Sequence, residues 1–274
     1  MALLTFLALF AGVAFLLSAF MFVAWRVEQK TGNAGWVDAF WSFGTGAAAA
    51  LGSLAGWMTT GNGRAILVAA LVALWSIRLG SHVAMRSSEV IDDPRYARLR
   101  REWGAGASMQ MLKFLQLQAV FGALLGMCVI VAAWNPAQLF LAQDLLALLV
   151  IAVAIGGEAF ADWQLRQFRK VPANRGRICD SGLWRYSRHP NYFFECMFWL
   201  SWPLFAINLV NAYHPGWFSL LAPLCMYWLL TRVSGIPPLE NVMLEKYGAR
   251  YSDYQSRTSA FFPFPPAPRK DSRA

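Results

Sequence analysis

The sequence predicts an all-α, polytopic membrane protein: seven transmembrane helices, N-terminus outside, C-terminus in the cytoplasm. Three observations carry that expectation. Hydrophobic residues make up 57% of the 274 and charged residues 14%, where a soluble domain carries about 25% charged residues. Apolar runs of spanning length recur along the chain. Lys and Arg fall in alternate connections between those runs, as the positive-inside rule requires.

The first run, Ala2 to Trp25, has no charge before Arg26 and lacks the basic start and small-residue cleavage site of a signal peptide. It reads as a retained helix. Further runs follow at 36–57, 65–86, 109–133, 138–162, 191–210 and 215–233. Each is near the roughly 20 residues that cross hydrocarbon as a helix. Helices are required because lipid offers backbone groups no partners.

The connections after the second, fourth and sixth runs are Thr59–Arg64, Asn135–Gln138 and Asn211–His214, and their only Lys or Arg is Arg64. The other connections and the tail hold nearly all the rest. An odd number of spans keeps the basic tail on the side of the basic loops, which favours seven. The net charge of +9 then needs no nucleic acid to explain it.

Two cytoplasmic segments have structure of their own. Glu89 to Gly104 is dense in charge, and its Asp-Pro step suits a helix start. Pro238 to Arg257 places Leu239, Val242, Met243, Tyr247, Tyr251 and Tyr254 at mostly three- and four-residue steps, an amphipathic helix on the membrane or under the bundle. Cys128, Cys179, Cys196 and Cys225 show no metal-ligand spacing and read as small buried hydrophobes in a reducing compartment. No metal site is expected.

Ionisable residues in the apolar runs mark the candidate site, because charges in membrane helices face a cavity or a partner. They are Asp38, Arg78, His82, Glu158, Asp162, Glu195 and Arg232. Under this topology all lie toward the cytoplasmic face, which suggests one cavity opening there. Structural readings stand beside the functional ones. Asp38 suits a helix N-terminus; Arg78 and His82 can snorkel to headgroups; Glu158 and Asp162, with Arg166 one turn on, can form an ion-pair cluster.

The densest signal runs from Asp162 to Glu195. Arg166, Arg169, Lys170, Arg175, Arg177, Arg185 and Arg188 face a single intervening acid, Asp180. Arginine forks match phosphate oxygens. Tyr186, Ser187, His189, Asn191 and Tyr192 are interleaved with them. Aromatic faces and an amide suit a nucleobase, so an adenine nucleotide fits the mixture. The chain has no GxGxxG or Walker motif.

The run from Asp162 to Lys170, the pattern Gly182-Leu183-Trp184 with Ser187 to Glu195, and the tail Tyr247-Gly248, Tyr251, Tyr254-Gln255 and Phe261-Phe262-Pro263 resemble the steroid 5α-reductase superfamily, in its uncharacterised bacterial branch. The likeness is fuller in the C-terminal half and thinner over Trp36–Gly44 and Leu79–Gly104. It implies a single seven-helix membrane domain in the bacterial inner membrane. Residues 1–133 would enclose a lipophilic enone, 134–260 would bind NADPH from the cytoplasm, and 261–274 would be a loose tail.

The resemblance assigns Asp162, Arg166, Arg169, Arg177, Tyr186, Asn191, Glu195 and Arg232 to the cofactor. Lys170, Ser187, Arg188, His189 and Tyr192 join them by position. Asp38 takes the place of the acid that reaches the substrate carbonyl. Trp75 stands near the place of that acid's tyrosine partner, with Arg78 beside it, and Phe194 stands where a glycine is usual. An indole N–H donates a hydrogen bond but delivers no proton at neutral pH.

The implied activity is NADPH-dependent reduction of a carbon–carbon double bond. A buried, protonated Asp38 would stabilise the enolate. The Arg-His-Pro-x-Tyr core is shared with integral-membrane methyltransferases of the isoprenylcysteine and phospholipid type, so an S-adenosylmethionine enzyme is the alternative. The expected partners are membrane lipid and a lipophilic small molecule, with no nucleic acid and no obligate protein.

Overall fold

A computed structural model describes residues 1–139, 142–208 and 213–268. Among them the regular elements are all helical, and an isolated bridge pairs Ser187 with Ser259. Residues 140–141 of the run expected at 138–162, the end of that at 191–210, part of the Asn211–His214 connection and the last residues of the tail lie outside the described residues. The chain divides into two compact units, Met1–Ala147 with Trp202–Cys225, and Leu148–Ser201 with Met226–Ala274.

The first unit is built on α1 (Leu3–Thr31), α2 (Gly35–Thr60), α3 (Gly63–Ser88), α4 (Pro94–Trp103) and α5 (Ala107–Ala133). Small residues on α2 let its neighbours close in, the usual device where lipid removes the hydrophobic drive between helices. A Cβ at Gly46 would meet Ser76 of α3 at 2.1 Å, and one at Gly52 would meet Ile130 of α5 at 2.3 Å. On α3, a Cβ at Gly80 would meet the Phe43 ring at 2.7 Å. The Asp-Pro step starts a helix as expected: Asp93 caps α4 by accepting from the Arg95 N–H, and Pro94 opens its first turn.

Arg64, which the sequence places in a short connection, is fully buried at the start of α3. Its guanidinium forks onto the equally buried Asp144, at 2.5 and 2.8 Å, and also donates to the carbonyls of Gln138 (2.7 Å) and Phe205 (3.3 Å). Asn62 and Asn135 tie the same end together. Asn62 caps α3 and donates to Asn135 O at 3.0 Å, and Asn135 donates to Phe205 O at 2.8 Å. Each of these backbone groups is thereby satisfied without water.

The second unit takes most of α6 (Ala142–Lys170) and α7 (Pro190–Ala206), the end of α8 (Leu221–Trp228), a π turn at Leu229–Val233, α9 (Ile236–Tyr247) and α10 (Ala249–Arg257). Phe194 packs on Gly157 of α6, where a Cβ would come within 2.3 Å of the ring. The single tail helix expected over 238–257 is two, because Gly248 turns the chain at φ 55°. Its aromatic face is turned inward, with Tyr251 and Tyr254 buried.

The segment from Phe261, expected to be loose, is fastened as far as it is described. Phe261 is buried and its carbonyl accepts from Ser187 Oγ at 2.8 Å. The Phe264 N–H reaches Tyr186 O at 3.1 Å, and the Ala267 N–H reaches Arg257 O at 2.9 Å. Backbone pairing that Pro and Phe spacing cannot foretell holds it.

Among the described residues, five helical stretches are long and apolar enough to cross a membrane: Leu3–Thr31, Gly63–Ser88, Pro94–Ala133, Ala142–Lys170 and His214–Tyr247. They fit an integral membrane protein. The expected span at 36–57 is helical throughout and that at 191–210 is helical to Ala206, but α2 is diluted by Gly, Ser and Thr, and α7 runs 17 residues.

Candidate functional site

The candidate residues divide between the units. Asp38, Trp75 and Arg78 lie in the first; Asp162, Arg166, Arg169, Lys170, Arg177, Tyr186, Ser187, Arg188, His189, Asn191, Tyr192, Glu195 and Arg232 lie in the second.

In the first unit, Asp38 lies in the first turn of α2. Its Oδ2 accepts from Arg95 Nη2 at 2.6 Å and its Oδ1 from the Tyr96 hydroxyl at 2.7 Å; Arg86 stands 4.0 Å away. Both oxygens accept, so Asp38 serves as an acceptor with a partly exposed side chain. The sequence expectation of a buried side chain is not met: it is 25% exposed. Arg95 is delivered beside it by the first turn of α4.

Asp93 shares that arginine. Burial pushes its carboxyl up, but the hydrogen bonds and charge of Arg95 outweigh burial and hold it below the usual carboxylate range.

The Tyr96 phenol is the group the sequence reading missed. It donates to Asp38, accepts from Gln118 Nε2 at 3.3 Å, and packs edge-on against Phe114. Its only sequence signal is its place just after Asp-Pro. Trp75 is fully buried and closes edge-on over Trp41, with ring centroids 6.4 Å apart. Trp41 lies one turn after Asp38 on the same face of α2. Arg78 and His82 lie four apart on α3, both half-buried.

In the second unit, three devices shape the segment after α6. Gly182 (φ 59°) lies flat on the Gln164 amide, whose Oε1 takes the Leu183 N–H at 2.9 Å. Trp184 Nε1 donates to Ala161 O at 3.0 Å. Pro190 then starts α7, which places Asn191, Tyr192 and Glu195 on its first two turns.

Asn191 Nδ2 donates to the buried Asp162 at 3.3 Å, and the buried Glu195 accepts from Trp199 Nε1 at 2.8 Å. Glu158 is also buried one turn before Asp162. Along the end of α6 and its loop, Arg166, Arg169, Lys170, Arg175, Arg177 and Arg185 are exposed, as are Tyr186 and, on the π turn, Arg232. The arrangement sets a buried acid–amide pair beside a row of exposed cations.

Ser187, Arg188 and His189 go elsewhere. Arg188 forks onto Glu240 of α9, and His189 Nε2 lies 3.0 Å from the same carboxylate while its ring stacks on Tyr192. Burial holds the His189 imidazole below the usual histidine range, although Glu240 pulls the other way. Arg188 already satisfies the charge of Glu240, so a neutral His189 with its proton on Nε2 fits the contact. Glu240 was invisible in the sequence because no spacing links residues 188 and 240. Among the described residues no cluster suits a metal ion.

The fold and these residues define a class, a helical membrane protein with a polar, arginine-rich segment at the mouth of an apolar helix. The chain belongs to the family described as Protein of unknown function (DUF1295), which matches residues 24–258. No curated protein and no solved structure matches the chain.

Proposed function

We propose that the protein is an NADPH-dependent reductase of a carbon–carbon double bond in a lipophilic enone. The observation that carries this reading is the row of exposed cations from Arg166 to Arg185, beside the buried Asp162–Asn191 pair. A cofactor with three phosphates suits that surplus; S-adenosylmethionine, which has none, leaves it unused. The sequence likeness to the steroid 5α-reductase superfamily supports the same choice. So does the basic-loop alternation, which favours seven spans with an outside N-terminus; the cofactor segment would then face the cytoplasm, where NADPH is available.

Arg166, Arg169, Lys170 and Arg177 would hold phosphates, including a 2′-phosphate. Asp162, Asn191, Tyr192 and Glu195 would take the ribose and nicotinamide end, with Tyr186 and Arg232 at the rim. NADPH, when bound, supplies the hydride. The chain's own part is to hold the substrate carbonyl. Tyr96, in place of Trp75, is the O–H donor for that oxygen. Its phenol can turn from Asp38 to a carbonyl because Arg95 continues to satisfy the carboxylate. Negative charge that develops on the oxygen then meets a donor already in place.

Direct binding of NADPH, NADH and S-adenosylmethionine to detergent-purified protein tests the reading, followed by a panel of lipid-soluble enones. NADPH should bind in preference to NADH. Binding of S-adenosylmethionine without NADPH would favour the methyltransferase alternative and end this one.

A further inference from the structure

Glu240 gathers more polar contacts than its place in a tail helix explains. Its Oε1 lies 2.7 Å from Arg188 Nε, 3.0 Å from His189 Nε2 and 3.3 Å from the Tyr251 hydroxyl. Its Oε2 takes Arg188 Nη2 at 3.2 Å and Gln255 Nε2 at 2.8 Å. The third nitrogen of Arg188, Nη1, donates to the carbonyls of Gln255 (3.0 Å) and Thr258. The guanidinium is thus committed to the tail at every nitrogen, with its side chain 10% exposed.

His189 is committed in the same way. Its backbone N–H goes to Ser187 Oγ at 3.1 Å. Its ring is held at Nε2 by Glu240 and lies nearly parallel to Tyr192, with centroids 5.4 Å apart and planes 10° apart. Tyr192 and Asn191 form the first turn of α7. A carboxylate shared by four side chains in a half-buried setting is a rigid junction. It fixes that turn before any ligand arrives.

We propose that Glu240 is a positioning residue for the nicotinamide–ribose end of the cofactor. It locks Arg188 and His189 to α9 and α10, and through the His189–Tyr192 stack it sets the first turn of α7. Arg188 and His189 then act through the junction and do not touch phosphate. The phosphates fall to Arg166, Arg169, Lys170 and Arg177. The inference rests on the NADPH reading above. Its physical basis is preorganisation: a turn fixed in advance need not be ordered when the ligand binds.

The test compares two ligands on full-length protein in detergent: NADPH, and adenosine 2′,5′-bisphosphate, which carries two of its three phosphates and lacks the nicotinamide nucleotide half. Glu240→Gln should weaken NADPH by about tenfold or more, the size of effect a displaced supporting shell produces. The fragment's affinity should stay unchanged. Arg188→Lys keeps the charge and loses the fork, so it should show the same split more weakly; it decides the matter if Glu240→Gln does not fold.

Equal losses for both ligands would overturn the proposal, since they mean direct phosphate contact or general disorder. Unchanged NADPH affinity in both variants, with wild type binding normally, would overturn it alone. Wild type that binds no NADPH would overturn the underlying reading with it.

Discussion

Replacing Arg64 with leucine strands Asp144 in the interior of the first unit. Both side chains are fully buried, and two short contacts join them, at 2.5 and 2.8 Å. Removing one partner of a buried pair costs about 3–5 kcal/mol, because the other charge is left without compensation. The carbonyls of Gln138 and Phe205 also lose a donor, which places Arg64→Leu toward the upper end of that range. A loss of about 4 kcal/mol is a factor of nearly a thousand in the folding equilibrium.

At about 2–4 °C per kcal/mol for a chain of this size, the unfolding midpoint should drop by about 8–16 °C. The measurement is helical circular dichroism of detergent-solubilised protein during heating. Asp144→Leu should lose a similar amount. The double variant should recover most of it, since both desolvation penalties leave together. A single variant that loses no more than about 2 °C, or a double variant whose loss is the sum of the singles, would refute the reasoning.

Tyr96→Phe removes the phenol that donates to Asp38; the turnover of an enone should fall by about 10²–10³ while NADPH affinity holds, and full activity in this variant would exclude the Tyr96 role. The pH dependence of stability has a defined sign at His189. Its folded value lies below its unfolded one of about 6.5, so the folded state binds fewer protons between the two. Stability is therefore complete above about pH 6.5 and declines as the pH falls, by up to about 1.4 kcal/mol per unit. Unfolding midpoints of wild type and His189→Gln from pH 8 to 5 should diverge on the acid side, and parallel curves would contradict the assignment. Gly157→Ala drives a methyl into the Phe194 ring and should cost about 1–3 kcal/mol; Phe194→Ala in the same chain should restore part of the loss, and an unshifted midpoint for Gly157→Ala would show that the contact yields freely.

The helices were legible because each signal is local. Apolar runs of spanning length and Asp93 before Pro94 are read within a few residues. The cluster from Arg166 to Asn191 was equally legible, since its cations and aromatics follow one another in the chain. Contacts across long stretches were not. Asp38 stands out in the sequence by its place in an apolar run, yet its partners Arg95 and Tyr96 lie 57 and 58 residues away. Arg188 and His189 read as ligand contacts because the carboxylate that takes them up belongs to a helix about 50 residues on.

The sequence by itself determined that this is a helical chain for a membrane, with its densest polar segment between Asp162 and Glu195. Hydrophobicity and backbone hydrogen bonding are settled residue by residue, so composition and order suffice. Only the tertiary structure decided what each buried charge does. It paired Arg64 with the buried Asp144, set Asp38 against Arg95 and Tyr96, and joined Arg188 to Glu240. In a low-dielectric interior the state of a charge depends on the partner within about 3 Å, and that partner is chosen by packing.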